Sequence, residues 1–320
     1  MTMAYFLFQA KTLIFIALFV LIYLYLGTQS HTEGTAAHVF ARWKRKADFL
    51  LVPEINCKVD TPFLVILVTS TYDQLDARMA IRETWGKERL IQYRKVVTFF
   101  LLGTTTNNTH QTLLAKENKQ YGDLIQKNFL DTYRNLTLKT LMGIEWAHQF
   151  CSSSSFVMKT DTDMFVNIFY LVELLLKRKS KTSLFTGFIK LHEKPLRGAS
   201  SKWYISEAEY PDKLFPPFCS GTGYVFSTDL AHKIYNVSLS VPKISLEDVY
   251  IGLCLSELNI IPEPLSTKRI FFSEKVTFSV CGFRNIVTSH RIKPYELLLY
   301  WKELENSADL ECKSGSDDLA

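Results

Sequence analysis

The stretch FVMKTDTDMFVN, residues 156–167, predicts the end of a buried strand that carries two carboxylates. Apolar residues lead into the D-x-D motif, formed by Asp161 and Asp163 around Thr162, and apolar character returns directly after it. In an extended backbone, residues two positions apart point to the same side, so we expect both aspartates to project together. Such a pair suits a hard divalent cation, Mg²⁺ or Mn²⁺, whose remaining ligands would be substrate phosphates. Two solvated aspartates in a loop are the alternative, because D-x-D is a frequent pattern.

Apolar runs of strand length alternate with helical patterns on both sides of this motif. The predicted elements are strand 63–69, helix 76–85, strand 96–102, helix 135–150, the D-x-D strand, helix 168–179 and strand 184–189. Continuous apolar strands are typical of a parallel sheet covered on both faces, and ligands in such sheets lie beyond the carboxyl ends of strands. Thr69 and the D-x-D motif fall at such ends. The sequence therefore predicts an α/β domain with a mainly parallel sheet and a ligand site at this edge.

A long apolar segment lies near the N-terminus. Residues 12–26 carry no charge, but as a helix they would span roughly 22 Å, less than a ~30 Å hydrocarbon core unless residues from about 5 join them. A cleaved signal peptide fits the short segment, whereas a signal anchor fits its aromatic end at Tyr23 and Tyr25. We favour the anchor. The predicted order is a cytosolic tail 1–11, a transmembrane helix 12–26, a lumenal stem 27–60, one large domain 61–310 and a tail 311–320.

The cysteines and sequons agree with a lumenal domain. Six cysteines are scattered without a C-x-x-C pair, which favours disulfides over a zinc site behind a membrane-entry signal. The sequence does not choose among their pairings. Candidate N-glycosylation sites are Asn107, Asn135 and Asn236. A formal charge of +5 over 320 residues, without a dense basic stripe, argues against nucleic-acid binding.

Further candidate site residues lie in the less regular second half of the chain. The segment CSGTGY places Gly221 and Gly223 where the main chain could approach a ligand, or where it simply turns. The segment SLEDVYIGLC begins a helix with Glu247 and Asp248. Acids in a first helical turn usually complement the helix dipole, and a catalytic Asp248 is the other interpretation. His290 is a candidate third metal ligand or a structural histidine.

Seven segments occur together in the order and spacing of the β-1,3-glycosyltransferases, glycosyltransferase family 31. They are RETWG (82–86), FFLLG (99–103), NLTLKT (135–140), FVMKTDTD (156–163), CSGTGYVFS (219–227), EDVYIGLC (247–254) and His290. The chain resembles this family from about residue 62 to residue 305. The resemblance implies a Golgi type II membrane enzyme of the nucleotide-binding GT-A fold. Such an enzyme uses Mn²⁺ to transfer galactose or N-acetylglucosamine from a UDP-sugar to the 3-hydroxyl of an acceptor sugar.

The resemblance also implies a role for each candidate residue. Asp248 would be the base of an inverting single displacement, since an α-linked donor gives a β product. The metal ligands would be Asp161, Asp163 and His290, with Asp161 near the ribose or a metal-bound water. Donor-binding residues would be Thr69, Arg78, Arg82, Asp161, Gly221 and Gly223. A structural ion pair is an equal interpretation for Arg82. Trp203 would stack on the acceptor, or only pack against its neighbours.

The choice of donor depends on one residue of the motif. Thr162 stands where N-acetylglucosaminyl members often carry Asp, which favours galactose. UDP-galactose would then be the donor, and terminal β-GlcNAc or GalNAc of glycoproteins and glycolipids the acceptors. The alternatives are a β-1,3-N-acetylglucosaminyltransferase of the same family and a catalytically silent lumenal sugar-binding protein. The presence of Asp248 argues against the silent protein.

Overall fold

The computed structural model describes residues 49–307 and 310–312. The predicted cytosolic tail and transmembrane helix lie outside these residues, as do most of the stem and most of the C-terminal tail. Within the described ranges, no helix combines the length and the apolar character needed to cross a membrane. Apart from Phe49, the fold below belongs to the compact unit that begins at Leu50.

Strands and helices alternate along most of the described chain. The strands are β1 (Phe49–Leu51), β2 (Leu64–Thr69), β3 (Arg89–Ile91), β4 (Arg94–Thr104), β5 (Leu124–Leu130), β6 (Phe156–Asp161), β7 (Met164–Val166), β8 (Phe185–Lys190), β9 (Phe218–Ser227) and β10 (Thr288–His290). The helices are α1 (Leu75–Glu83), α2 (Asn108–Tyr121), α3 (Leu136–Phe150), α4 (Ile168–Leu176), α5 (Asp229–Val237), α6 (Glu247–Glu257), α7 (Val280–Arg284) and α8 (Pro294–Asn306). A 3₁₀ turn, Tyr133–Asn135, precedes α3.

The central sheet has the strand order β1-β5-β4-β2-β6-β9-β8, and β3 pairs with β4. Strands β5, β4, β2 and β6 run parallel, whereas β9 is antiparallel to both β6 and β8. All six residues of β2 are buried, as expected for a strand covered on both faces. The predicted α/β domain with a mainly parallel sheet is therefore confirmed. Thr69 and Asp161 are register partners at the carboxyl ends of β2 and β6.

The D-x-D motif is not extended throughout. Strand β6 ends at Asp161, residues 162 and 163 form a turn, and β7 then pairs antiparallel with β10. The prediction that one extended strand carries both aspartates is therefore wrong. The β7–β10 pairing is the physical reason: it places His290 opposite Met164, and Asp163, in the turn, contacts His290.

The glycines of CSGTGY lie inside strand β9, so the alternative of a plain turn is also wrong. Close contact between the strands requires a glycine on the neighbouring strand β8. A Cβ added at Gly187 of β8 would lie 2.9 Å from the main-chain oxygen of Gly223, a separation that real Cβ atoms do not adopt. The bare backbone thus lets β8 and β9 approach each other.

Disulfides are present, as the scattered cysteines predict. Cys57 is bonded to Cys151 at the end of α3, and Cys281 in α7 is bonded to Cys312. Among the described residues, Cys219 and Cys254 are free and buried. Burial raises the pKa of the Cys254 thiol to about 12, so this thiol stays protonated at neutral pH.

Candidate functional site

Four carboxylates surround one buried lysine at the carboxyl end of β6. The carboxylates belong to Asp161, Asp163, Glu247 and Asp248, and each interacts electrostatically with Lys159. Lys159 and Asp161 are two residues apart on strand β6, so their side chains lie on the same face of the sheet. Helix α6 begins at Glu247 and supplies the other two acids.

Lys159 contacts two of these acids directly. Its Nζ donates a hydrogen bond to Asp161 Oδ1 at 2.8 Å and lies 3.4 Å from Glu247 Oε2. It also donates a hydrogen bond to the main-chain oxygen of Gly221. Burial alone would lower the pKa of Lys159, but the carboxylates of Asp161 and Glu247 outweigh burial and raise it. Lys159 is therefore a permanent cation beneath the site.

Glu247 is turned into the protein interior. The hydroxyl of Tyr224 donates to Glu247 Oε1 at 2.7 Å, and the other carboxylate oxygen faces Lys159. Burial raises the pKa of Glu247, and the charge of Lys159 opposes that change. Both of its oxygens thus have protein partners, which favours a structural role for Glu247.

Asp248 is held by main-chain donors on one side of the site. Its Oδ2 accepts from the Gly221 N–H at 3.0 Å and its Oδ1 accepts from the Val249 N–H at 2.9 Å. Burial raises the pKa of Asp248 despite these two backbone hydrogen bonds. A raised pKa brings the carboxylate closer to the pH at which the enzyme works, which suits a general base. The predicted catalytic residue is thus fixed in position and more basic than an ordinary aspartate.

Gly221 leaves no space for a side chain between these acids. A Cβ added there would lie 2.9 Å from Glu247 Oε2 and 3.5 Å from Asp248 Oδ2. We expect Gly221→Ala to lower kcat by about 10- to 10²-fold, because displacement of a catalytic group by about 1 Å has effects of that size. Steady-state kinetics and thermal unfolding of the purified variant would measure this.

Gly198→Ala is the matched control for this substitution, since no described atom lies within 4 Å of a Cβ at Gly198. Its kcat should equal that of the wild type. Wild-type kcat in Gly221→Ala would show that the site tolerates displacement of Glu247 or Asp248.

The structure brings two of the three predicted metal ligands together. His290 Nε2 lies 3.1 Å from Asp163 Oδ2, and His290 Nδ1 donates to the main-chain oxygen of Ser273 at 2.9 Å. The bond to Ser273 fixes the ring, and loss of the other ring proton leaves Nε2 free to bind a metal. The Asp163 side chain is 52% exposed. One carboxylate and one imidazole at an open surface are donors that Mn²⁺ accepts, so these residues fit the predicted ion.

Asp161 has a different environment. Its Oδ1 accepts from the Thr69 hydroxyl at 2.6 Å and from Lys159. Within residues 49–307 and 310–312, no group of three His, Cys, Asp or Glu residues has the arrangement of a metal site. Direct metal binding by Asp161 stays a prediction, as does donor binding by Thr69, by Gly221 and by Gly223.

The two predicted donor-binding arginines take part in an ion-pair network with Glu117 and Asp123. The guanidinium of Arg78 is fully buried, bonds both carboxylate oxygens of Glu117, and donates to Ser70 Oγ and the Thr71 oxygen. Arg82 pairs with Glu117 and Asp123, so the ion-pair interpretation of Arg82 is confirmed. Arg78 therefore holds the loop that follows β2, and a direct contact between Arg78 and a donor stays a prediction.

Sequence reasoning missed Lys139, a second buried lysine in this part of the protein. Its Nζ lies 2.6 Å from Asp131 Oδ1 and donates to the main-chain oxygen of Ser70. The loop after β2 is thus held by Arg78 from α1 and by Lys139 from α3. A lysine on the buried face of a predicted helix was the available signal, because lysines are almost never fully buried unless they are paired.

An aromatic pair lies on the other side of the site. Trp203, the predicted acceptor-binding residue, is 55% exposed, and it lies close enough to Tyr133 for its side chain to lower the pKa of the Tyr133 hydroxyl. Burial raises the pKa of Tyr133, and the charges of Asp248 and Asp161 raise it further. Tyr133 therefore faces the acids, and sequence reasoning missed it. The Nζ of Lys202 lies 4.5 Å from the centre of the Tyr133 ring.

The three sequons lie outside this cluster of acids. Asn107 caps α2 by accepting from the Thr109 N–H, and Asn236 contacts His232. Asn135 donates to the main-chain oxygen of Leu130 next to the 3₁₀ turn. Asn107 and Asn236 are exposed, whereas Asn135 is half-buried. Their glycosylation stays a prediction.

A family model and named relatives indicate the same family for this chain. A family model described as Galactosyltransferase matches residues 76–266. Beta-1,3-galactosyltransferase 5 from Homo sapiens is 56% identical over 84% of this chain and 87% of its own length, and the Mus musculus protein of that name is 55% identical over 84% and 87%. Beta-1,3-galactosyltransferase 2 from Mus musculus is 42% identical over 83% and 64%. The apo structure of the bifunctional glycosyltransferase WbbM covers 67% of this chain and 40% of its own, with a TM-score of 0.38 and 15% identity.

Proposed function

Because the chain belongs to the galactosyltransferase family, we propose that it transfers galactose from UDP-galactose in β1,3 linkage to terminal β-GlcNAc or GalNAc of glycoprotein and glycolipid glycans. One observation carries the proposal. The half-buried carboxylate of Asp248 is held by Gly221 and Val249, on a different element from the Asp163–His290 pair. A base and a metal-binding pair on separate elements match the two needs of the reaction.

The reaction that fits this arrangement is an inverting single displacement. Asp248 accepts the proton of the acceptor 3-hydroxyl while that oxygen attacks the anomeric carbon of galactose. The bond between that carbon and the diphosphate oxygen breaks, UDP leaves, and the α-linked donor gives a β product. Asp163 and His290 would hold Mn²⁺, which as a Lewis acid stabilises negative charge on the departing diphosphate.

The residues around Asp248 and the Asp163–His290 pair would position the substrates. Thr69 and Lys159 fix the carboxylate of Asp161 at the end of β6, where it would bind the donor ribose. Trp203 and Tyr133 present aromatic surface that would stack on the acceptor sugar. The names of the relatives and Thr162 both favour galactose over N-acetylglucosamine.

An assay of the detergent-solubilised full chain tests the proposal. The chain would be incubated with Mn²⁺, radiolabelled UDP-galactose or UDP-GlcNAc, and a panel of acceptors ending in β-GlcNAc or GalNAc. We expect galactose transfer, with a β1,3 linkage in the purified product. Transfer of GlcNAc alone would assign the chain to the N-acetylglucosaminyl branch, and sugar binding without transfer would identify a silent binding protein.

We propose further that the chain is a Golgi type II membrane protein with its catalytic domain in the lumen. The two disulfides support this location, because such bonds persist in oxidising compartments. The domain from Pro62 onward should resist protease added to sealed microsomes and become sensitive once detergent is added. Quantitative recovery of that domain from the medium, starting near residue 31, would contradict retention by an anchor.

A further inference from the structure

We propose that Lys159 is a positioning residue for Asp248 and that it acts through the main chain of Gly221. The inference rests on the proposed transfer reaction and on Asp248 as its base. Two hydrogen bonds connect the three residues. Lys159 Nζ donates to the Gly221 oxygen, and the Gly221 N–H donates to Asp248 Oδ2 at 3.0 Å.

The pairing of β9 explains why Gly221 needs this support. Strand β9 pairs with β6 only from Gly223 to Ser227. Its pairing with β8 covers residues 218–219 and 224–226, with an irregularity between the two blocks. Within the described chain, neither ladder therefore includes residues 220–222. Residues without a register partner are less firmly positioned by the ladder, so side-chain contacts to the main chain of Gly221 help to fix its position.

The surroundings of Lys159 allow it to hold Gly221 in place. Its ammonium is buried and permanently charged, and Asp161 and Glu247 flank it. A buried ammonium without partners would be too costly, and these two contacts fix the lysine side chain. The next residue of β6 also holds the main chain of β9. Thr160 Oγ1 donates to the Thr222 oxygen at 2.9 Å. Successive residues of β6 thus anchor the unpaired part of β9 through their side chains.

A simpler role for Lys159 would be to neutralise Glu247. The two roles make different predictions once Glu247 has lost its charge. Lys159→Met leaves a buried carboxylate without its cation, whereas Lys159→Met combined with Glu247→Gln removes both charges. The amide introduced by Glu247→Gln keeps an oxygen that accepts from the Tyr224 hydroxyl, which in the native chain lies 2.7 Å from Glu247 Oε1. The double variant therefore relieves the charge imbalance but does not restore the contact with Gly221.

The test compares these two variants in the full chain, with Lys177→Met as the control. Lys177 forms an exposed ion pair with Glu173, so its loss should leave kcat, KM and thermal unfolding unchanged. Steady-state kinetics at saturating UDP-galactose give kcat and the acceptor KM. Saturation with the donor separates poor positioning of the base from weak donor binding through Asp161.

We expect Lys159→Met to lower kcat by about 10²-fold, the effect of a catalytic group displaced by about 1 Å, while the acceptor KM stays close to the wild-type value. The double variant should regain thermal stability and keep the loss in kcat. Wild-type kcat in either variant would overturn the inference. A wild-type chain that transfers no sugar would instead refute the proposed function, a result distinct from activity retained by the variants.

Discussion

Asp248→Asn is expected to lower kcat by about 10²- to 10⁴-fold, the usual contribution of general base catalysis. The amide is nearly the same size as the carboxylate, and its oxygen still accepts from one of the main-chain donors of Gly221 and Val249. The amide cannot take the proton of the acceptor hydroxyl at neutral pH. UDP affinity in the presence of Mn²⁺ should stay close to the wild-type value, because Asp248 lies on a different element from Asp163 and His290. Stopped radiochemical assays and titration calorimetry with UDP would measure the two quantities.

Glu247→Gln is the comparison for this variant, since Glu247 is the neighbouring acid on the same helix. Its carboxylate contacts Tyr224 and Lys159 inside the protein, so we expect a smaller loss of kcat than from Asp248→Asn. If Asp248→Asn kept most of its kcat and Glu247→Gln abolished turnover, the base would be Glu247.

The strands of the sheet can be predicted from the sequence because each strand is recognised from residues that are adjacent in the chain. The run LVILVT is apolar up to its last residue, and the apolar residues FVM open strand β6. Such strands form wherever a sheet can cover both faces. Glu247 and Asp248 begin a helix in the structure as predicted. The edge that carries the site follows from the parallel pairing of β2 and β6, which general rules for α/β folds already imply.

The turn inside the D-x-D motif could not be predicted in the same way. Residues 161–163 are compatible with an extended strand, and a turn forms because Met164 pairs with His290. The two partners are far apart in sequence, so no local pattern contains the information. The same reason applies to Lys159, whose partners Glu247 and Gly221 come from α6 and β9.

The local structure around the two arginines is predicted correctly, but the prediction of their function is incomplete. Arg78 and Arg82 lie on one face of α1, as their spacing of four predicts. Their partner Glu117 is on α2, and these ion pairs hold both guanidiniums, while donor binding by either arginine stays a prediction. An arginine that the sequence suggests as a ligand-binding residue can therefore already be engaged in an ion pair within the protein.

Removal of the metal is expected to abolish transfer, and Asp163→Ala should do the same without a chelator. The carboxylate of Asp163 and the Nε2 of His290 lie 3.1 Å apart, and the Ser273 oxygen orients the ring. Loss of Asp163 would remove the negatively charged ligand of this pair and with it the attraction for the cation, whereas loss of His290 would leave that carboxylate in place.

Titration calorimetry with UDP, with and without Mn²⁺, gives a measurement that does not depend on turnover. In the wild type, Mn²⁺ should increase UDP affinity, and EDTA should remove both this increase and the activity until Mn²⁺ is restored. Asp163→Ala should lose the metal-dependent part of UDP binding together with turnover, and His290→Ala should weaken it. His192→Ala, in an exposed part of the chain, should behave as the wild type does. Activity that resists EDTA in full would refute the metal assignment, because charge on the departing diphosphate would then be stabilised by protein groups alone.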